Sequence, residues 1–502
     1  MKRNNLTTAI VASIAGVAGI ASVSNAVNLN PDGVGQVLVY PYYTVNNDLL
    51  TLISVVNTTD QAKAVKVRFL EGKNSRECLD FNLYLSPYDV WTAALASTVA
   101  TAAFAGSYAG DNSVKLHTSD TSCTVPDINQ YEFLPWGFDP QGDGDPGNGY
   151  DNGGRDLQRC TEGHFEMIEM GTLFDTGTNG GAASAVTHDA SGVPADCGVV
   201  NNNWIGTWLG NPNDGLEPPT GGLFGSVSLV DVAGGTDVTY NADAIQGYTS
   251  NTQHTDPGDI IPSLATGARN TSYVFNGNVV QSDFWTESIQ AVSALYIHNQ
   301  VYGEYVLSDT IGANTEWVVT FPTKFAYVDP NIGYAFAPGT QPNEPFTTAF
   351  TSAGGGTACE EYGLGYWDRE EQEPAPGTVI ILPSPRPPGI IVDVPIFCWE
   401  TNVLELHDND DYDDSLPSEV LGSNLTTHFQ VRKNNVPDFF DTGWIALTFG
   451  QSTDDNFSNT TYTGLPVTGF AIQRYVNGAL ADGILANYAG LFKHRYSKSI
   501  SS

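Results

Sequence analysis

Residues 64–70 read AVKVRFL, with Val65, Val67 and Phe69 alternating with Lys66 and Arg68. Alternation at period two with β-branched side chains is the signature of a half-buried strand. Similar short runs recur at 36–43 (QVLVYPYY), 49–57 (LLTLISVVN), 78–85, 90–93, 165–174 (FEMIEMGTLF), 223–232 (LFGSVSLVDV) and 237–240. Others follow at 301–307, 316–321 (EWVVTF), 428–431 and 443–449. Turn-forming clusters separate them: TTDQ at 58–61, EGKNS at 71–75, SPYD at 86–89 and AGG at 233–235. The pattern predicts a mainly β protein. It would consist of antiparallel β-sandwich modules, Ig-like or jelly-roll-like, with long Gly/Asp/Asn-rich loops and one or two short helices. Such sheets carry the core on one face and charge on the other. Lys66, Arg68 and Glu71 are therefore expected on the solvent side, and Trp91 in the core.

A helical period is clearest at 283–297, where Ile289, Val292 and Leu295 share a face and Thr286 and Glu287 stand at the start. Ile484, Leu485, Tyr488, Leu491 and Phe492 also fall at near-helical spacing, and 95–105 suits a strand end or a short helix. Loops are expected at 137–159 and 175–221. The organisation that follows is a leader at 1–26, a first sandwich part at 27–135 and a loop-rich insertion at 136–221. A second β-rich part at 222–372, a Pro-rich excursion at 373–399 and C-terminal strands at 400–502 complete the chain.

The leader has a basic start (Lys2, Arg3), an apolar uncharged stretch at 6–23, and small residues at Ser24 and Ala26. This is the pattern of a secretory signal peptide, with the mature chain beginning near Val27. Secretion to the periplasm, cell surface or exterior is the expected localisation. No later stretch is long and apolar enough for a transmembrane helix.

Charge narrows the partners. The chain holds 20 Lys plus Arg against 56 Asp plus Glu, a formal charge of −36, and losing Lys2 and Arg3 would make it 18 against 56, or −38. Such a surface repels nucleic acid and anionic lipid. Basic partners are too few for surface ion-pair networks. The basic C-terminal residues Lys493, Arg495 and Lys498 are expected to form a tail that pairs with the chain's own body or with a neighbouring copy. The even set of cysteines (Cys78, Cys123, Cys160, Cys197, Cys359, Cys398) reads as disulfides in an oxidising compartment. Cys359 with Cys398 is the pairing to expect, because they flank the Pro-rich excursion. Cys160 with Cys197 is a plausible neighbour pairing among the rest.

Standard hydrolase motifs are absent: there is no His-Glu-x-x-His, Gly-x-Ser-x-Gly or phosphate loop. Glu166 with Glu169, and Glu360 with Glu361, are the candidate carboxylate pairs for glycoside hydrolysis. Oxygen-rich spacing marks Asp139, Asp143, Asp145, Asn148 and Asp151 as candidate Ca²⁺ ligands, with Asp408, Asp410 and Asp413 as a second acidic cluster. Trp204, Trp208, Trp285, Trp367, Trp399 and Trp444 lie in or beside loop-rich segments, as sugar-binding aromatics do.

The stretches GQVLVYPYYTVNN (35–47), SVVNTTDQAKAVKVRFLEG (54–72), SPYDVW (86–91) and EWVVTFPTK (316–324) resemble a group of exported or cell-surface proteins from Gram-negative bacteria that has no assigned function. The resemblance implies export and brings no site. The expected function is a structural or interaction protein of the cell surface or extracellular matrix, self-assembling through β-strand edges and stabilised by Ca²⁺. The alternative is a carbohydrate-binding protein or glycan-processing enzyme. Other copies of the chain, or glycans, would be its partners.

Overall fold

The computed structural model describes residues 26–501 apart from 278, 332–334, 372–394, 408–414, 432–440, 456, 458 and 482–483. The leader at 1–25, most of the Pro-rich excursion, and Asp408, Asp410 and Asp413 lie outside the described residues.

The protein is mainly β, with antiparallel sheets and few short helices. An eight-stranded sheet is centred on Glu162–Leu173, which pairs with Val37–Thr44 on one side and Ala62–Glu71 on the other. A six-stranded sheet is centred on Leu49–Asn57, between Val90–Val99 and Leu223–Asp231. The two sheets meet face to face. Tyr40, Val65, Val67, Phe69 and Phe165 from the first share one core with Ile53, Val55, Trp91 and Leu229 from the second. The hairpin predicted after residue 222 is present as Leu223–Asp231 and Thr236–Asn241. It completes the six-stranded sheet, and Asp243–Gln246 joins the eight-stranded one, so these strands finish the first sandwich rather than opening a second.

A five-stranded sheet around Ala313–Thr320 faces a four-stranded sheet built from Gly363–Asp368, Thr442–Thr448, Gln300–Val306 and Arg495–Ser497. Trp317, Val319 and Leu404 meet Val301, Tyr305, Ile445 and Leu447 between them. Among the described residues, all laddered strand pairs are antiparallel except Thr401–His407 with Thr426–Gln430.

The predicted helix is present but shorter, Ser288–Tyr296, because the residues before it form the strand Val279–Phe284. Gln290 Oε1 accepts the Glu287 amide at 3.0 Å, which satisfies one of the open donors at its start. Nearly every helical residue is buried. Its apolar side chains share a core with Val37, Val39, Ile168 and Ile245 on the far face of the eight-stranded sheet. The region expected to be loop at 175–221 carries three further short helices, Ala182–Val186, Gly198–Trp204 and Thr207–Gly210.

Covering the second face of the eight-stranded sheet overturns the expected solvent placement of Lys66 and Arg68, which are buried; Glu71 is buried too, but against Arg159 and the turn after its own strand. Segment 247–269 lies across that face: Lys66 Nζ donates to Pro257 O at 2.7 Å and Asn82 Nδ2 to Thr255 O at 2.9 Å. The buried cations of the strand Ala62–Glu71 each have an anion beside them: Lys63 with Glu169 at 2.7 Å, Lys66 with Asp80, and Arg68 with Glu77 at 2.6 Å and with Glu166. An unpaired buried charge costs several kcal/mol, and pairing with hydrogen bonds is what makes such burial tolerable.

Candidate functional site

The first proposed Ca²⁺ cluster is ordered by the protein's own donors. Asp139 accepts from the Tyr108 hydroxyl, from Arg155 Nε at 3.0 Å and from the Gly144 amide at 3.2 Å. Asp143 accepts from the Asp145 amide at 2.9 Å and Asn148 Nδ2 at 2.8 Å, and Asp145 caps the turn Pro146–Asn148 through the Gly147 amide. Asp151 turns away from this loop into the interior, where Arg159 takes both its oxygens. Asp143, Asp145 and Asn148 are thus exposed while Asp139 and Asp151 are sealed. Among the described residues, no group of three or more His, Cys, Asp and Glu is placed to hold a metal ion.

Arg159 belongs to a hub that joins the two halves. It also reaches Glu71 at 3.0 Å, and Glu71 caps the turn after its strand by accepting from the Lys73 and Asn74 amides, both at 2.8 Å. From that turn, Asn74 Nδ2 and Arg76 Nη2 reach Asp329 at 2.8 and 2.6 Å. Thr401 donates its amide to Gly72 O at 2.8 Å. Nearby, Lys324 is buried and donates to Trp399 O at 3.1 Å, and burial lowers its ammonium to about 8, with the Glu400 and Glu360 charges opposing the shift.

Of the candidate catalytic carboxylates, Glu166, Glu169 and Glu360 are buried and Glu361 is exposed. Burial raises Glu166 and Glu169 while Arg68 and Lys63 oppose the shift. Glu360 accepts from Thr347 through its amide at 2.7 Å and its hydroxyl at 2.8 Å. The fold also brings together Ser86, His188 and Asp89. Ser86 Oγ lies 2.8 Å from His188 Nδ1, but Asp89 approaches that same nitrogen, at 3.6 Å. A serine nucleophile needs its acid on the opposite ring nitrogen to orient the base, so this trio does not have the geometry of a triad.

The cysteines pair as Cys78–Cys160, Cys123–Cys197 and Cys359–Cys398. The last is the expected bond, whereas the neighbour pairing of Cys160 with Cys197 gives way to two longer closures. Register explains it: Cys78 and Cys160 begin and precede strands of the same sheet, and Cys123 begins the edge strand beside the helix that Cys197 opens.

Two surface features remain. The near-helical spacing at the C-terminus is a strand, Ile484–Lys493, paired with Thr468–Ala481 and standing at the rim of the five-stranded sheet. It exposes Ile484 (56%), Leu485 (52%), Tyr488 (63%) and Phe492 (53%). Spacing misled because Tyr488 and Phe492 stand on the outer face of a strand whose Ala489 and Leu491 alternate with them against the core. The basic tail is likewise built in. Lys493 pairs with Asp243, and Lys498 Nζ donates to Leu295 O at 2.9 Å and Ile297 O at 2.7 Å, at the end of the central helix. Burial lowers Lys498 to about 7.

Of the tryptophans, Trp204, Trp208 and Trp285 are buried, the first two around Tyr84 and His254. Trp399 is half-buried with Lys73 over its ring at 5.2 Å. Trp367 and Trp444 instead stack on each other on the outer face of the four-stranded sheet, 4.1 Å between centroids, with Trp444 39% exposed. No helix among the described residues is long and apolar enough to cross a membrane. Comparison with known proteins finds no family model, no curated protein and no solved structure that matches the chain.

Proposed function

We propose that this is an exported structural or interaction protein of the cell surface or extracellular matrix, which associates with copies of itself through a β-strand edge. The observation that carries the reading is the rim strand Ile484–Lys493. It displays Ile484, Leu485, Tyr488 and Phe492, each more than half exposed, although the turn before Thr236–Asn241 lies beside it, with Asn487 Nδ2 donating to Gly234 O at 2.8 Å; an apolar strand at a sheet rim is a surface on which another strand can dock. Natural edges are usually blunted by charge or proline; this one carries a single charge, at Lys493. The disulfides, the resemblance to exported proteins of Gram-negative bacteria and the inward use of the carboxylates agree with a role played by surfaces.

Light scattering and sedimentation of the mature protein across concentration and salt test it, alongside fractionation of cells. Association that grows with concentration and falls in Tyr488→Ser and Phe492→Ser variants of unchanged melting temperature is the expected result. A strictly monomeric protein with no retention at the cell surface would overturn the proposal.

A further inference from the structure

We propose a glycan-binding site, selective for neutral chains, on the outer face of the four-stranded sheet. Strand register lays that face out in three rows: Trp367, Trp444 and Glu304; then Gly365, Ala446, Tyr302 and Arg495; then Gly363, Thr448, Gln300 and Ser497. The alternate residues Leu364, Tyr366, Ile445, Leu447, Val301 and Tyr305 fill the core beneath. The tryptophans therefore stand on the side that core packing does not use.

The face combines apolar rings with groups able to bond hydroxyls. Trp367 lies over Gly365, where a Cβ would come within 2.9 Å of the indole, and Tyr302 approaches Trp444 at 6.3 Å. Glycines at 363 and 365 leave the edge strand low beside the stacked rings. Gln300 bonds Thr448 Oγ1 at 3.3 Å and the Tyr302 hydroxyl lies 3.3 Å from Ser497 Oγ, so a line of amide and hydroxyl groups runs beside the aromatics. Sugar rings present C–H faces to indole and hydroxyls at their edges; the exposed Trp444, held against the half-buried Trp367 and flanked by fixed polar groups, matches both.

Charge selects the ligand class. The face carries one carboxylate, Glu304, and one guanidinium, Arg495, and is neutral in a chain of formal charge −36. A polyanionic chain would be repelled by the rest of the molecule, whereas a neutral one would not. The site is independent of the rim strand, and its test is separable from that of self-association.

Affinity electrophoresis in native gels containing a soluble β-glucan, a xylan or a galactomannan, with alginate as the polyanion, tests the proposal. The expected result is retardation by at least one neutral polysaccharide, weakened about tenfold or more by Trp444→Ala. Thr448→Arg, which blocks the face from an exposed position without touching the core, should have the same effect. Phe492→Ser, at the rim, should leave retardation unchanged. The proposal is overturned if no neutral polysaccharide retards the protein, if alginate retards it equally, or if Thr448→Arg binds as the parent does.

Discussion

Arg159 and Asp151 meet through two parallel hydrogen bonds, Nη1 to Oδ1 and Nη2 to Oδ2, both 2.8 Å. Burial alone would raise the Asp151 carboxyl, but the Arg159 bonds and charge, with Arg76 behind them, hold it below its usual range. A residue that reads as a loop ligand for a cation thus serves as the anchor of the insertion. Asp151→Asn leaves Arg159 short of a partner in the interior and should cost about 3–5 kcal/mol in urea unfolding. Added Ca²⁺ should not restore the loss. The pair's contribution is present above the ordinary carboxylate range and fades as pH falls through the lowered folded value. A variant of parental stability would show that the hub does not depend on this contact.

Glu316 has the opposite pH signature. It accepts the Leu421 amide at 3.0 Å and the Ser418 hydroxyl at 2.9 Å, and burial, with the Glu405 charge adding, pushes it up to about 8. Unfolded, it ionises near 4.5. Between these values the folded chain binds more protons, so stability from this residue is present at low pH and is lost as pH rises, at up to about 1.4 kcal/mol per unit. Glu316→Gln keeps an acceptor and cannot ionise. Melting temperatures at pH 5, 7 and 8.5 should show the parent losing ground to the variant as pH increases. Parallel profiles would refute the assignment.

Peptide mapping under non-reducing conditions should recover Cys78 joined to Cys160 and Cys123 joined to Cys197, spans of 82 and 74 residues. Replacing Cys123 and Cys197 by Ser should cost about 2–5 kcal/mol, the usual range for a native bond. The near-ultraviolet signal of Trp204 and Trp208 should change with it, because Cys197 leads directly into their helices.

Truncation after Tyr488 should prevent folding. It removes half of the rim strand, the buried His494, the strand Arg495–Ser497 and the Lys498 contact with the central helix. A soluble product with the parental circular dichroism would contradict this.

Strands were the most legible level of the sequence. Leu49–Asn57 and the Leu223–Asp231 hairpin stand where alternation puts them, because one buried face imposes a period of two. Alternation does not reveal whether the second face is also covered. Lys66 and Arg68 have the pattern of solvent-facing residues, and their burial follows from segment 247–269, far along the chain. In the loop at 139–151, density of oxygens signals that donors are needed without saying which. Arg155 and Arg159 supply them for Asp139 and Asp151. The stacked Trp367 and Trp444 are 77 positions apart, and only the register of their strands puts them together.

The inward placement of Lys63, Lys66, Arg68, Arg159 and Lys324 also sets how the molecules behave as a suspension. Carboxylates such as Glu71, Asp151, Glu166 and Glu169 go inside with them, so the outside keeps the acidic excess of the sequence with few cations left to offset it. In dilute buffer such particles keep one another at a distance, with a strongly positive second virial coefficient. At about 1 M salt the repulsion reaches only about 3 Å. Salinity then becomes the control on colloidal contact, deciding whether two apolar rims ever come close enough to touch.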